Sequence, residues 1–105
     1  MSLKQRFVAA LRSGKYEKGV GRLKAGECFC AQGILLDVVA PEGWQPADTW
    51  VYGDTCVYTP YIPNVLGEQL GLSAQELDAL LVWNDSLGLS FRSIADKIEE
   101  NWTDA

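Results

Sequence analysis

The chain carries apolar residues at helical spacing near both of its ends. The C-terminal stripe follows one face of a helix and consists of Phe91, Ile94, Ala95, Ile98 and Trp102. Ser90 directly precedes this stripe and is a typical N-cap. The N-terminal stripe predicts a helix from residue 2 to residue 13, ended by Gly14, and consists of Leu3, Phe7, Ala10 and Leu11. Each helix is therefore expected to bury one face.

The middle of the chain changes from a broad apolar run to a β-rich stretch. The run FCAQGILLDVVA predicts a buried helix from near residue 28 that ends at Pro41, although its apolar breadth also permits a strand. Its length and the pair Gln32-Gly33 favour the helix. The following segment, PEGWQPAD, is predicted to be a loop. In TWVYGDTCVY, two β-rich tetrads flank Gly53-Asp54, which predicts a small β-hairpin near residues 49–58.

Two shorter helices are predicted after the hairpin. Pro63 suits the first turn of a helix reaching Leu70. Ser73 and Glu76 form a capping box before a second helix, which runs out near residues 84–85. This helix–turn–helix pattern occurs in DNA-binding proteins, but the second helix carries acids and no cation, so two packed helices are predicted instead. The fold class is α+β: a mainly helical single domain over residues 1–105, with about five helices and one small hairpin.

Composition limits the chemistry that the chain can perform. The sequence has no histidine, which excludes Ser–His and Cys–His nucleophile pairs and every histidine-containing zinc site. Three cysteines make an odd count, which favours reduced thiols over a disulfide framework. No apolar run approaches the roughly 18–20 residues of a membrane helix, and no signal-peptide core is present. We therefore expect a cytoplasmic protein that is not an enzyme, with no catalytic residue, metal, cofactor or membrane contact.

The charge is distributed unevenly. Residues 1–24 contain seven of the nine cations and one acid, whereas the rest of the chain has two cations and thirteen acids. One interpretation, which we favour, is that this basic segment packs beside acidic surface of its own fold or of a second copy. The alternative is that residues 4–24 bind nucleic acid or a phosphate ligand. The candidate anion- or partner-binding residues surround a glycine loop, and they are Lys15, Lys18, Arg22 and Lys24.

The glycine loop does not match a known phosphate motif. Gly14 and Gly19 have the spacing of a P-loop, but Val20-Gly21 stands where Lys-Ser/Thr is required. A dinucleotide fingerprint begun at Gly19 would need a third glycine where Lys24 stands. Only looser anion binding remains as a hypothesis for this loop.

Three further positions have both a chemical and a structural interpretation. Cys30 is predicted to be a buried structural thiol, because no base accompanies it. Asp37 lies inside the apolar helical run, and we expect it to accept backbone hydrogen bonds or to pair with a cation such as Arg22. The segment Asn84-Asp85-Ser86 lacks the ligand spacing of a calcium loop. We interpret it as an Asx-type turn joining two helices.

Four blocks of the chain together resemble a group of small uncharacterised proteins from bacteriophages and bacteria. The blocks are ALRSGKYxxGxGxL (10–23), FCxxGxLxD (29–37), YIPxxxxxxLGL (61–72) and NDxxxxSFxxIADxIE (84–99). The resemblance implies a shared fold and a phage-like context, and it carries no known activity. It also implies cysteines at positions 31 and 36, where this chain has Ala31 and Leu36. This departure further weakens any case for thiol chemistry.

The resulting functional hypothesis is a non-catalytic protein-interaction module or phage accessory factor, with an unknown protein partner and with self-association as an option. Aromatic residues around the predicted hairpin are candidate interface residues, namely Trp50, Tyr52 and Tyr58. The alternative function is nucleic-acid or phosphate-ligand binding through residues 4–24. Nucleic acid is the less favoured partner, because most of the chain is acidic.

Overall fold

A computed structural model describes residues 2–57 and 61–102, apart from the side chain of Ala47. Within these ranges there are five α-helices: α1 (Leu3–Arg12), α2 (Ala31–Val39), α3 (Asn64–Gln69), α4 (Ala74–Leu81) and α5 (Phe91–Asn101). Six short strands accompany them: β1 (Glu17–Lys18), β2 (Lys24–Ala25), β3 (Cys28–Phe29), β4 (Trp44–Gln45), β5 (Thr49–Tyr52) and β6 (Thr55–Val57). The fold is α+β, as predicted.

The predicted helices form where the apolar stripes and capping residues indicated. Ser73 and Glu76 form the expected capping box of α4, and the Ser90 side chain accepts a hydrogen bond from the Ser93 amide at the start of α5. The helix predicted from residue 28 begins only at Ala31, because Phe29 belongs to β3 and Cys30 is the N-cap. Within the described ranges, no helix combines the length and apolar character needed to cross a membrane.

The predicted hairpin is present, but it belongs to a larger sheet. β5 and β6 pair antiparallel across Gly53-Asp54, and β4 pairs antiparallel with the other side of β5. The prediction of a plain loop over residues 41–48 was therefore wrong. That segment contains β4 between two 3₁₀ turns, Pro41–Gly43 and Pro46–Asp48. Burial of Trp50, whose indole donates to the Ala40 carbonyl oxygen at 3.0 Å, outweighs the loop composition of this segment.

A second sheet occupies the segment that sequence analysis treated as a glycine-rich connector. β3 lies in its centre, parallel to β1 and antiparallel to β2. Each strand has only two residues, which is too short to produce an alternating apolar pattern. Gly26 adopts a φ of 62° in the turn between β2 and β3, a conformation that glycine takes at little cost.

One hydrophobic core joins the helices and both sheets. Phe7, Ile34 and Ile94 contribute from α1, α2 and α5, and each is completely buried. Gln32 is also buried, and its side chain links the Leu77 carbonyl oxygen (2.9 Å) to the Ile62 amide (2.6 Å). This one polar side chain therefore connects α2 to α4 and to the segment before α3.

The prediction of a local Asx turn at residues 84–86 was wrong. A π-helical turn, Val82–Ser86, continues α4 instead. The buried Asn84 side chain accepts from the Ala31 amide at 3.1 Å and donates to the Gly19 carbonyl oxygen at 3.0 Å. Asn84 thereby holds the junction between α4 and α5 against the start of α2 and the end of β1.

Candidate functional site

Three aromatic rings and a carboxylate come together between the two sheets. The aromatic cluster consists of Tyr16, Phe29 and Trp44. Phe29 lies at its centre, edge-to-face with Tyr16 (centroids 5.0 Å apart) and with Trp44 (5.8 Å). Asp37 accepts from the Tyr16 hydroxyl at 2.5 Å and from the Trp44 indole nitrogen at 2.9 Å. Its two carboxylate oxygens therefore fix the orientation of the two outer rings.

These bonds correct the prediction for Asp37. We expected backbone donors or a cation such as Arg22, but the described partners are a phenol and an indole. Polar groups on aromatic residues satisfy a carboxylate in an apolar setting without a second charge. The same arrangement acts on Tyr16: burial, and then the hydrogen bond to Asp37, raise the pKa of the Tyr16 hydroxyl. At neutral pH Tyr16 is therefore a hydrogen-bond donor and not a base.

Lys24 places its ammonium group against the aromatic cluster. Its Nζ atom lies 5.7 Å from the Phe29 ring centroid and 5.6 Å from that of Trp44, within the range of cation–π attraction. It also lies 3.1 Å from Oδ1 of Asp48, whose other oxygen accepts from the Gly26 amide at 3.3 Å. The bond from Lys24, followed by that from Gly26, lowers the pKa of the Asp48 carboxyl group. The site is thus built to hold a cation.

The four predicted anion-binding cations do not converge on one point. Lys15 and Lys24 line the same open depression, but Lys15 lies over the Tyr16 ring, 5.3 Å from its centroid. Lys18 is directed elsewhere, and its Nζ atom donates to the Asn84 and Leu89 carbonyl oxygens at 3.0 and 2.5 Å. Arg22 is exposed, and its charge contributes to the lowered pKa of Asp48. Three acids also line the depression, namely Glu17, Glu27 and Asp37.

Other cations of the basic segment contact parts of the same fold. Lys4 donates to the Trp102 carbonyl oxygen at 2.7 Å. Arg12 forms ion pairs with Asp96, at 2.6 Å, and with Glu99. The basic segment therefore meets acidic surface of its own chain, as the favoured interpretation of the charge distribution expected.

The three candidate interface aromatics have different environments. Trp50 is completely buried, so its predicted role as a surface contact was wrong. The Trp50 ring belongs to the hydrophobic core, onto which β5 packs. Tyr52 stacks on it with centroids 5.5 Å apart and remains 44% exposed. Tyr58 lies outside the described residues. Of this predicted trio, Tyr52 is the one described side chain that a partner could reach.

Comparison with known families accounts for the first part of the chain. Residues 1–59 match a family described as a domain of unknown function, DUF8296. The chain belongs to the DUF8296 family. No curated protein and no solved structure matches it significantly. The segment matched to DUF8296 contains both sheets and all of the aromatic cluster, together with Asp37, Lys24 and Asp48.

The helices beyond the DUF8296 match form a second surface feature. A groove between the start of α3 and the side of α4 has a volume of about 390 Å³. We call it the α3–α4 groove, and its lining residues are Gln32, Tyr61, Ile62, Pro63, Asn64, Leu77, Asp78 and Leu81. Asp78 is the one charged residue in this lining. Val65 and Val82, which follow lining residues in the chain, are 70% and 45% exposed.

The three cysteines are free thiols in different environments. Cys30 is 2% exposed, as predicted for a structural thiol, and burial raises its pKa. Its sulfur accepts from the Gly33 amide at 3.4 Å, as the N-cap of α2. The Cys28 thiol lies 4.0 Å from a Glu17 oxygen. Among the residues of ranges 2–57 and 61–102, no group of three or more Cys, Asp or Glu side chains is placed to hold a metal ion.

Sequence reasoning missed the aromatic cluster because its three rings lie in separate segments, just before β1, in β3 and in β4, and follow no common spacing. One signal for it was available. A carboxylate at position 37, inside an apolar helix, requires buried hydrogen-bond donors. Tyr16 and Trp44 are residues of a type that brings such donors into an apolar environment.

Proposed function

We propose that this DUF8296 protein is a non-catalytic protein-interaction module, which binds a basic segment of a partner protein in the α3–α4 groove. The observation that carries the proposal is that Asp78 is the one charged residue lining the groove, while Val65 and Val82, which follow lining residues in the chain, are exposed. Val82 lies one helical turn after Asp78, so the two share a face of the helix. A partner segment that places an aliphatic side chain beside a lysine or arginine would pack on Val82 and pair with Asp78.

The charge distribution supports a cationic partner. Residues 25–91 contain nine acids and no lysine or arginine. The cations of the basic segment that contact the rest of the fold, such as Arg12 and Lys18, are engaged by carboxylates and carbonyl oxygens. No lysine or arginine is among the lining residues of the groove, so the charge of Asp78 is not neutralised within that lining. The negative potential that remains would steer a basic partner towards the groove and repel an acidic one.

The alternative, anion binding by residues 4–24, has less support. It needs several free cations on one surface, whereas Lys18 and Lys24 are already bonded within the chain. The depression shared by Lys15 and Lys24 also contains more acids than cations. The resemblance to bacteriophage and bacterial proteins supports an accessory role in the cytoplasm, with a host or phage protein as the partner.

Site-specific photo-cross-linking in a bacterial cell tests this proposal. A photoreactive amino acid replaces Val65, which follows the groove-lining Asn64 and is 70% exposed, or, as a matched control, Val20, which is 64% exposed in the loop between β1 and β2. We expect a specific cross-linked protein from position 65 and not from position 20. The captured protein is then purified and titrated against the intact chain at several salt concentrations. Binding should weaken as salt rises, because opposite charges are screened.

Two charge reversals complete the test. Asp78→Arg in the groove should weaken binding of the purified partner by about tenfold or more, since a like charge would oppose the basic segment. Glu100→Arg makes the same change on an exposed position of α5, and it should leave the affinity within about twofold of the wild type. Equal effects of the two reversals would contradict the proposal, as would equal cross-linking at positions 65 and 20. Cross-linking only between two copies of the chain would replace it by self-association.

A further inference from the structure

The environment of Lys24 is that of a bound ammonium ligand. Its Nζ atom lies 5.7 and 5.6 Å from the centroids of Phe29 and Trp44 and 3.1 Å from the Asp48 carboxylate. Two aromatic rings and one carboxylate around a single cation are the components with which proteins recognise alkylammonium groups. We call Phe29, Trp44 and Asp48 the ammonium cage. It shares no residue with the lining of the α3–α4 groove.

The cage is held in shape independently of Lys24. Asp37 fixes the Trp44 ring through the indole nitrogen and fixes Tyr16, which packs edge-to-face on Phe29. Asp48 adopts a φ of 56°, the one positive φ of a non-glycine residue in the described ranges. This backbone conformation directs its carboxylate to the Gly26 amide as well as to Lys24. Removing the lysine side chain would therefore leave the two rings and the carboxylate in place.

The Lys24 side chain is also able to leave the ammonium cage. It belongs to the two-residue strand β2, and its side chain is 22% exposed. Lys24 itself and Phe29 of the cage also line an open depression that contains three acids. An ion pair that solvent reaches contributes little to stability, and rotation about side-chain bonds is enough to carry the ammonium group into water. An external cation that enters the cage would make the same contacts in place of the Lys24 ammonium group.

We propose that the ammonium cage is a binding site for an alkylammonium group, with Lys24 as the occupant that closes it in the free protein. A methylated ammonium group fits best, because it loses less hydration than a primary ammonium when it moves onto aromatic faces. Trimethyllysine and choline present the same group. Competition from Lys24 makes the site weak until a ligand or a substitution displaces this side chain.

The test compares Lys24→Ala with the wild type and with Lys15→Ala. The latter removes the neighbouring lysine, which lies on Tyr16, but leaves the cage filled. The probes are choline, acetylated trimethyllysine amide and 3,3-dimethylbutan-1-ol, which has the shape of choline without its charge. Binding is followed by the NMR signal of the Trp44 indole N–H, assigned with Trp44→Phe. Lys24→Gln keeps part of the side chain and is used in the same way if Lys24→Ala does not fold.

We expect Lys24→Ala to bind both ammonium probes about tenfold more tightly than the wild type, and about tenfold more tightly than it binds the neutral alcohol. Lys15→Ala should behave like the wild type. Tighter binding of trimethyllysine amide than of choline would indicate a protein-borne ligand, and the reverse would indicate a free one. The proposal is overturned if the neutral alcohol binds as well as choline does. It is also overturned if opening the cage at Lys24 gives no gain over Lys15→Ala.

Discussion

Replacing Gly33 with alanine should destabilise the protein strongly, although the position lies inside a helix. A Cβ atom at this position would lie 1.8 Å from the Leu23 carbonyl oxygen and 2.7 Å from the Leu23 carbonyl carbon. Both are backbone atoms, so no side-chain rotation relieves the overlap. The Leu23 oxygen also accepts a hydrogen bond from the Cys30 amide at 3.2 Å. Either α2 or the segment before β2 must therefore move, and this bond is lost.

The expected change in the free energy of unfolding follows from three contributions. Forcing a carbon atom into a filled site costs about 3 kcal/mol, at the upper end of the usual range because backbone must shift. Loss of the bond from Cys30 to Leu23 adds about 1 kcal/mol. The better helix propensity of alanine offsets about 1 kcal/mol. The net loss of about 3 kcal/mol corresponds to a fall in Tm of roughly 10–20 °C for a domain of this size.

Thermal and urea unfolding followed by circular dichroism would measure this loss. Gly67→Ala is the matched control, since Gly67 also lies in a helix but a Cβ there would meet the end of the Leu77 side chain, at 2.5 Å. Leu77 is buried, but the end of its side chain can shift, whereas a backbone carbonyl cannot. The better helix propensity of alanine offsets part of this strain, so we expect the control to remain within about 1 kcal/mol of the wild type. If Gly33→Ala melted within about 2 °C of the wild type, or no lower than Gly67→Ala, the close approach of α2 to Leu23 would be refuted.

Three other predictions concern single side chains. Asn84→Ala should lower the free energy of unfolding by about 2–4 kcal/mol, because it leaves the buried Ala31 amide and the partly buried Gly19 carbonyl oxygen without this partner; chemical denaturation would measure this, and a loss below about 1 kcal/mol would contradict it. Asp48→Asn should lower Tm by a small amount at pH 6 and by less at about pH 2, because the lowered pKa of Asp48 gives stability above the ordinary value of about 3.9 that is lost as pH falls through the folded value. An equal Tm difference at both pH values would show that the charge attracting Lys24 contributes nothing. In the native protein, Cys56 should react with a disulfide reagent well before Cys30, since Cys56 is exposed and Cys30 is buried with a raised thiol pKa; equal rates, measured by mass spectrometry of each cysteine, would exclude this burial.

Much of the helical framework was predictable, because helix formation depends on local signals. The apolar stripe that includes Ile94 and Ile98 predicted α5, and the capping residues Ser73 and Glu76 predicted the start of α4. The hairpin turn at residues 53–54 was equally local. Short strands are different, since a pair of residues has no period of its own. β2 and β4 pair with strands a few residues further along, and β1 pairs with β3 eleven residues away. These strands escape prediction because their pairing depends on which side chains the core buries, such as Phe29 and Trp50, and not on a local pattern.

The candidate sites were also only partly predictable from sequence. The sequence by itself determined which residue types were present, the absence of histidine, and the separation of a basic segment from an acidic remainder. Only the tertiary structure decided what these residues contact. In the folded chain Asp37 accepts hydrogen bonds from Tyr16 and Trp44. Lys18 bonds to the Asn84 carbonyl oxygen, whereas Lys24 pairs with Asp48. The physical reason is that hydrogen bonds and cation–π contacts act over a few ångströms in space, whatever the separation along the chain, and packing of the core decides which groups come within that distance.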